Sequence, residues 1–204
     1  MRALKFCLVF AICLFASDLD IKPLSGSKFR SVFKEYLSKD SGDFDNYEFE
    51  KDFKMHESYC QKGLVDACEV LGVSYVLGLG TQQDIKKGIN LIDFALKNTS
   101  DEIFKEQYAY TLNLAKQIQS SGDDAIRKVI STFSKNSSEC QSRSGDKDAC
   151  FKATILTGLL PNDMLGISDQ SGFFEMLFDN DIAINGAKNS KISKMLKAYE
   201  DILK

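Results

Sequence analysis

Cysteine is the residue type whose spacing here points most directly to chemistry. The sequence holds six, with Cys60, Cys68, Cys140 and Cys150 in the body of the chain and Cys7 and Cys13 near its start. Four thiols can bind zinc or oxidise in pairs. Zinc ligands usually come in pairs about two to four residues apart, and neither Cys60 to Cys68 nor Cys140 to Cys150 has that spacing. Oxidation is the better reading if the chain leaves the reducing cytosol. Four cysteines allow three connectivities. The short separation within each pair favours local bridges, each worth roughly 2–3 kcal/mol through the chain entropy removed. The lone histidine, His56, excludes most histidine-dependent triads unless it is itself the base, and reads as a solvated or capping residue. Asp43, Asp45 and Glu48 lack the calcium-loop pattern and read as helix-start charges.

The opening residues bear on the compartment. Met1-Arg2-Ala3-Leu4-Lys5 is short and basic, Phe6 to Ala16 is apolar, and Ser17-Asp18-Leu19-Asp20 turns polar. A membrane-crossing helix needs about 20 apolar residues, more than this run supplies. Basic flank, short apolar run and the small residues Ala16 and Ser17 predict a secretory signal peptide over 1–17. Ile12 stands where a small residue should precede a lipidated cysteine, so Cys13 is not read as a lipid anchor. No later segment is long and apolar enough to cross a membrane, and no transmembrane segment is expected in the mature chain. Losing Arg2 and Lys5 takes the formal charge from −3 to about −5. Mild acidity without a basic cluster argues against nucleic acid or anionic lipid as partner. The expected location is periplasmic or secreted. There the four remaining cysteines, even in number, are expected as disulfides.

The elements that must position these cysteines carry a repeat. From Gly63 the sequence reads Gly-Leu-Val-Asp-Ala-Cys-Glu-Val-Leu-Gly-Val-Ser-Tyr-Val-Leu-Gly-Leu-Gly. Ala67, Leu71 and Tyr75 are four apart and share a helical face, which Val70, Val73, Val76 and Leu77 widen into an apolar stripe. Gly72 lets a partner helix approach closely. Gly78 and Gly80 end this helix, and Asp84 caps a second whose inward residues are predicted as Ile85, Ile89, Leu91, Ile92 and Ala95. The prediction is an antiparallel helical hairpin over 63–98. Gly145-Asp146-Lys147-Asp148-Ala149-Cys150 repeats the spacing of Gly63 to Cys68, with Leu160-Pro161 stopping its helix early. The roughly 80 residues between the two anchors have room for two hairpins of about 36–40 residues. Helices are predicted over Asp101–Ser120 and Asp123–Ser134, read as a degenerate repeat, and also over Ser27–Lys39, Tyr47–Tyr59, Ser171–Phe178 and Lys191–Leu203.

Gly63, Ala67, Leu71-Gly72, Tyr75, Gly78, Gly80, Asp84, Lys87 and Ala95 fall at the spacings of a Sel-one-like repeat. The chain resembles that tetratricopeptide-like family over about 35 residues, with Thr81, Gly88 and Leu91 departing from its usual valine, alanine and aromatic. It resembles in particular the cysteine-rich periplasmic members, in which a bridge ties the end of one repeat to the first helix of the next. That placement fits Cys60 with Cys68, and Cys140 with Cys150 with a slightly longer loop. The resemblance implies an all-α, disulfide-stapled solenoid of helical hairpins, with repeats over 18–160 and a loop and helical cap over 161–204.

The resemblance also implies a protein–protein interaction scaffold, holding a protein or peptide of the cell envelope and needing no cofactor. Tyr75, Leu79, Gln82 and Gln83, near the hairpin turn, are the partner-contact candidates. The alternative it carries is a β-lactam-binding or β-lactamase-type hydrolase. A serine enzyme of that kind needs Ser-x-x-Lys, Ser-Asp-Asn and Lys-Thr-Gly elements. Ser25-Gly-Ser-Lys28 and Ser31-Val-Phe-Lys34 have the first spacing, at a frequency chance explains. Ser168-Asp169-Gln170 departs from the second, and the third is missing. No catalytic residue is assigned. Phe173, Phe174, Met176, Leu177 and Phe178 are read as closing the open end of the core.

Overall fold

The computed structural model describes residues 21–39, 48–122 and 124–204. The expected signal peptide, Asp43, Asp45, Tyr47 and Asp123 lie outside the described residues. Among those described the chain is all-helical: α1 (Gly26–Lys39), α2 (Phe49–Gln61), α3 (Val65–Leu77), α4 (Ile85–Asn98), α5 (Glu102–Ser121), α6 (Ala125–Ser142), α7 (Ala149–Thr157), the single turn α8 (Asn162–Leu165), α9 (Gln170–Asn185) and α10 (Lys191–Leu203).

Local sequence sets most of these boundaries. The side chain of Asp84 accepts the Lys87 N–H at 2.9 Å, that of Asp101 the Ile103 N–H at 2.9 Å, and that of Asp124 the Arg127 N–H at 3.0 Å. α3 ends where Gly78 adopts a left-handed φ of 74°. The helix before it is buried nearly all round rather than along one stripe, Glu69 and Ser74 included. α4 buries Gly88, Leu91, Ile92 and Ala95, while Ile85 and Ile89 are only partly covered.

Two helices run longer than their sequence suggests. α6 continues past Ser134 through a serine-rich stretch to Ser142, whose Oγ turns back onto the Ser138 carbonyl at 2.8 Å, as Thr132 Oγ1 does earlier in the helix onto that of Lys128 at 2.8 Å. Such bonds satisfy the hydroxyls locally, so polar residues need not end the helix. α9 continues past Phe178 to Asn185, where Asp181 is completely buried. Its carboxylate accepts Asn185 Nδ2 at 2.8 Å, Ser190 Oγ at 2.6 Å and the Ile192 N–H at 3.2 Å, and so binds α9 to the start of α10.

Each cysteine pair lies at disulfide distance, with Cα–Cα separations of 4.6 Å for Cys60–Cys68 and 4.8 Å for Cys140–Cys150. The two bridges occupy equivalent corners, one joining α2 to α3 and the other α6 to α7. Helix α3 packs on α2 and α4, α4 on α5, and α7 on α6 and α9. Helices α5 and α6, expected as a degenerate hairpin, touch at only a few points. The apolar cluster after Gly172 packs against the core: Leu177 is fully buried, and the Phe173 ring lies 5.7 Å from that of Phe133.

The last helix does not simply extend the stack. α10 turns back over α5, α7 and α9 and reaches α1. There the Tyr199 ring stacks on Phe33, centroids 6.1 Å apart, and meets Phe104 edge-on at 4.9 Å. Segment 161–204 thereby shares one core with the helices before it, since Leu177, Ile192 and Met195 pack with residues of α3 to α7.

Candidate functional site

The return of α10 encloses a cleft of ≈ 210 Å³ with α1, α3, α5 and α7. Phe33 and Tyr36 form one wall, Met195 and Tyr199 another, and the floor carries Asp66 and Glu69 from α3. The two acids are three positions apart in a helix and share one face.

Both are held by α5. Gln107 Nε2 donates to Glu69 Oε2 at 2.8 Å and Thr111 Oγ1 to Glu69 Oε1 at 2.8 Å, while Tyr108 OH donates to Asp66 Oδ1 at 2.7 Å. All three donors are neutral. No lysine, arginine or histidine lines the cleft among the described residues. Glu69 is 2% exposed, and burial pushes its carboxyl up to about 7, with the nearby charge of Asp66 adding to the rise and the Thr111 and Gln107 bonds opposing it. Burial also raises Asp66, against the Tyr108 bond. The Tyr108 phenol is pushed well above its ordinary value, first by burial and then by the two acids. The site is therefore a fixed carboxyl pair in which burial raises both groups, Glu69 to about 7, and no cation among the described residues lines it.

Tyr36, on the cleft wall, hydrogen-bonds His56 Nδ1 at 3.0 Å. His56 is buried, not solvated as its sequence context suggested, and burial lowers its pKa to about 4. A neutral imidazole thus braces the tyrosine from behind the wall.

The residues singled out from sequence lie elsewhere. Tyr75 and Leu79 are core residues, 8% and 6% exposed. The Tyr75 ring meets Phe53 edge-on at 5.2 Å, and its hydroxyl accepts Lys87 Nζ at 2.6 Å. Gln82 and Gln83 do face solvent, with Gln83 Nε2 tied to the Val76 carbonyl at 2.8 Å. Their turn borders a wide, shallow groove between α2 and the α3–α4 loop, which shares no lining residue with the cleft of the acids. Ser25, just before α1, and Ser31, on it, are exposed and line none of the cavities described here. Sequence reasoning missed Asp66 and Glu69. The signal was present: they are the acids embedded in the otherwise apolar run Val65–Leu77. No protein-family model, no curated protein and no solved structure matches the chain.

Proposed function

We propose that the chain is an exported Sel-one-like scaffold that docks a protein or peptide of the cell envelope in the cleft between α1, α3, α5, α7 and α10. The size of the cleft carries this reading. Small-molecule pockets usually enclose about 300–1,000 Å³, whereas ≈ 210 Å³ suits a single anchoring side chain. The exposed Leu37 at its edge extends an apolar rim onto the surface, as a docking site for a larger body requires. The solvent-facing Gln82 and Gln83 offer a second point of contact.

Site-specific photo-crosslinkers at Leu37 and at Gln82 test the reading in cells. A discrete protein adduct from Leu37 is the expected result, and the absence of any adduct from both positions would refute it. Purified oxidised protein is also expected to leave a chromogenic β-lactam intact. Turnover that disappears with Ser25→Ala or Ser31→Ala would replace the scaffold by a hydrolase.

A further inference from the structure

We propose that the cleft receives one cationic side chain, lysine or arginine, projecting from the docked partner, an inference that rests on the scaffold reading above. The floor is a pair of carboxyl groups, and the walls are aromatic. The carboxyl groups are the surface that best receives a desolvated alkylammonium or guanidinium group, through charge-assisted hydrogen bonds, and the aromatic side chains border its path. Leu37 and Met195 line the same space and suit the methylene stem of such a side chain.

Charge complementarity selects the occupant. A buried anion is costly unless it is paired and fully hydrogen-bonded. Asp66 and Glu69 have their hydrogen bonds from Tyr108, Gln107 and Thr111, but no cation among the described residues of the cleft balances their negative charge. An acidic side chain would add a third negative charge. A purely apolar one would strand the carboxyl groups away from water. A basic one completes the set, and the α5 donors hold the carboxyl oxygens in place before it arrives, so that little ordering cost remains on binding. The raised Glu69 carboxyl adds a signature: a cation seated beside it favours the ionised form, so binding releases protons near pH 7.

The test is an amide-resolved NMR titration of the purified oxidised protein, at low salt, with Nα-acetyl-lysine methylamide and with its norleucine counterpart. The lysine probe is expected to give saturable shifts in α1, α3 and α10 and to bind at least about tenfold more tightly than norleucine. Glu69→Gln and Asp66→Asn should each weaken it at least about fivefold, in proteins whose spectra retain native dispersion. Two isosteric variants guard against a fold defect in either. Equal affinity for both probes, lysine binding unmoved by both variants, or no shift at all would overturn the proposal. The scaffold reading fails separately: a Leu37 adduct that persists undiminished in Glu69→Gln keeps docking and removes the cation, whereas lysine binding without any adduct keeps the cation site and removes the scaffold.

Discussion

Gly72 and Gly88 meet backbone against backbone where α3 crosses α4. A Cβ placed on Gly72 would lie 2.8 Å from the Gly88 carbonyl oxygen and 2.7 Å from Ile92 Cγ1. A Cβ on Gly88 would collide with the Gly72 carbonyl and with Val76. The glycine at 88, a departure from the repeat pattern, is thus the counterpart of the one at 72. Gly72→Ala and Gly88→Ala are each expected to cost about 1–3 kcal/mol by forcing the helices apart. Urea unfolding measures this, and unchanged midpoints in both would show that the crossing has slack.

Peptide mapping without reduction is expected to recover Cys60 joined to Cys68 and Cys140 joined to Cys150. Reduction should lower stability by roughly 2–3 kcal/mol per bridge. Four reactive thiols in denatured, unreduced protein would contradict both pairings.

Two buried groups, His56 and Glu69, pull stability in opposite directions with pH. His56 has a folded pKa of about 4 against an ordinary 6.5. Its contribution is complete above 6.5 and is lost as the pH falls towards 4, because the unfolded chain then binds the extra proton. Glu69 has a folded pKa of about 7 against 4.5, so its contribution is complete below 4.5 and is lost as the pH rises through 7. Glu69→Gln removes only the second slope. Relative to the parent, this variant should gain stability steadily from pH 4.5 to 7, by up to about 3 kcal/mol. Denaturation curves at several pH values decide it, and a constant difference between variant and parent would contradict the burial of the charge.

Tyr199→Ala is expected to cost about 2–4 kcal/mol, since the ring packs on both Phe33 and Phe104. It should also speed hydrogen exchange in α1 and α10 more than in α4. Uniform acceleration across all helices would show that α10 is not a local closure.

Much of the fold was legible because local chemistry dictated it. Asp84, Asp101, glycines 72 and 78, and the limits of α10 act through neighbours in the chain or one helix away, and the sequence displays such signals directly. The full length of α6 was hidden because its serines resemble a loop until their hydroxyls are seen to bond back to the helix. The cleft was hidden for a different reason. Asp66 and Glu69 sit about 40 residues from the α5 donors and far from Tyr199, and only long-range packing joins them. Tyr75 and Leu79 lie near a turn, which suggests a contact surface, yet their apolar bulk is used in the core.

The backward path of α10 also sets an order of events. A polypeptide is made from its N-terminus, and its early segments fold first. The α3 acids and their α5 supports are complete long before Met195 and Tyr199 exist to wall them in. Until the thirteen-residue α10 is added, the floor formed by Asp66 and Glu69 lacks the wall that Met195 and Tyr199 supply. The cleft is thus closed well after its acidic floor is built, and a chain made only as far as α9 carries the acids without that wall.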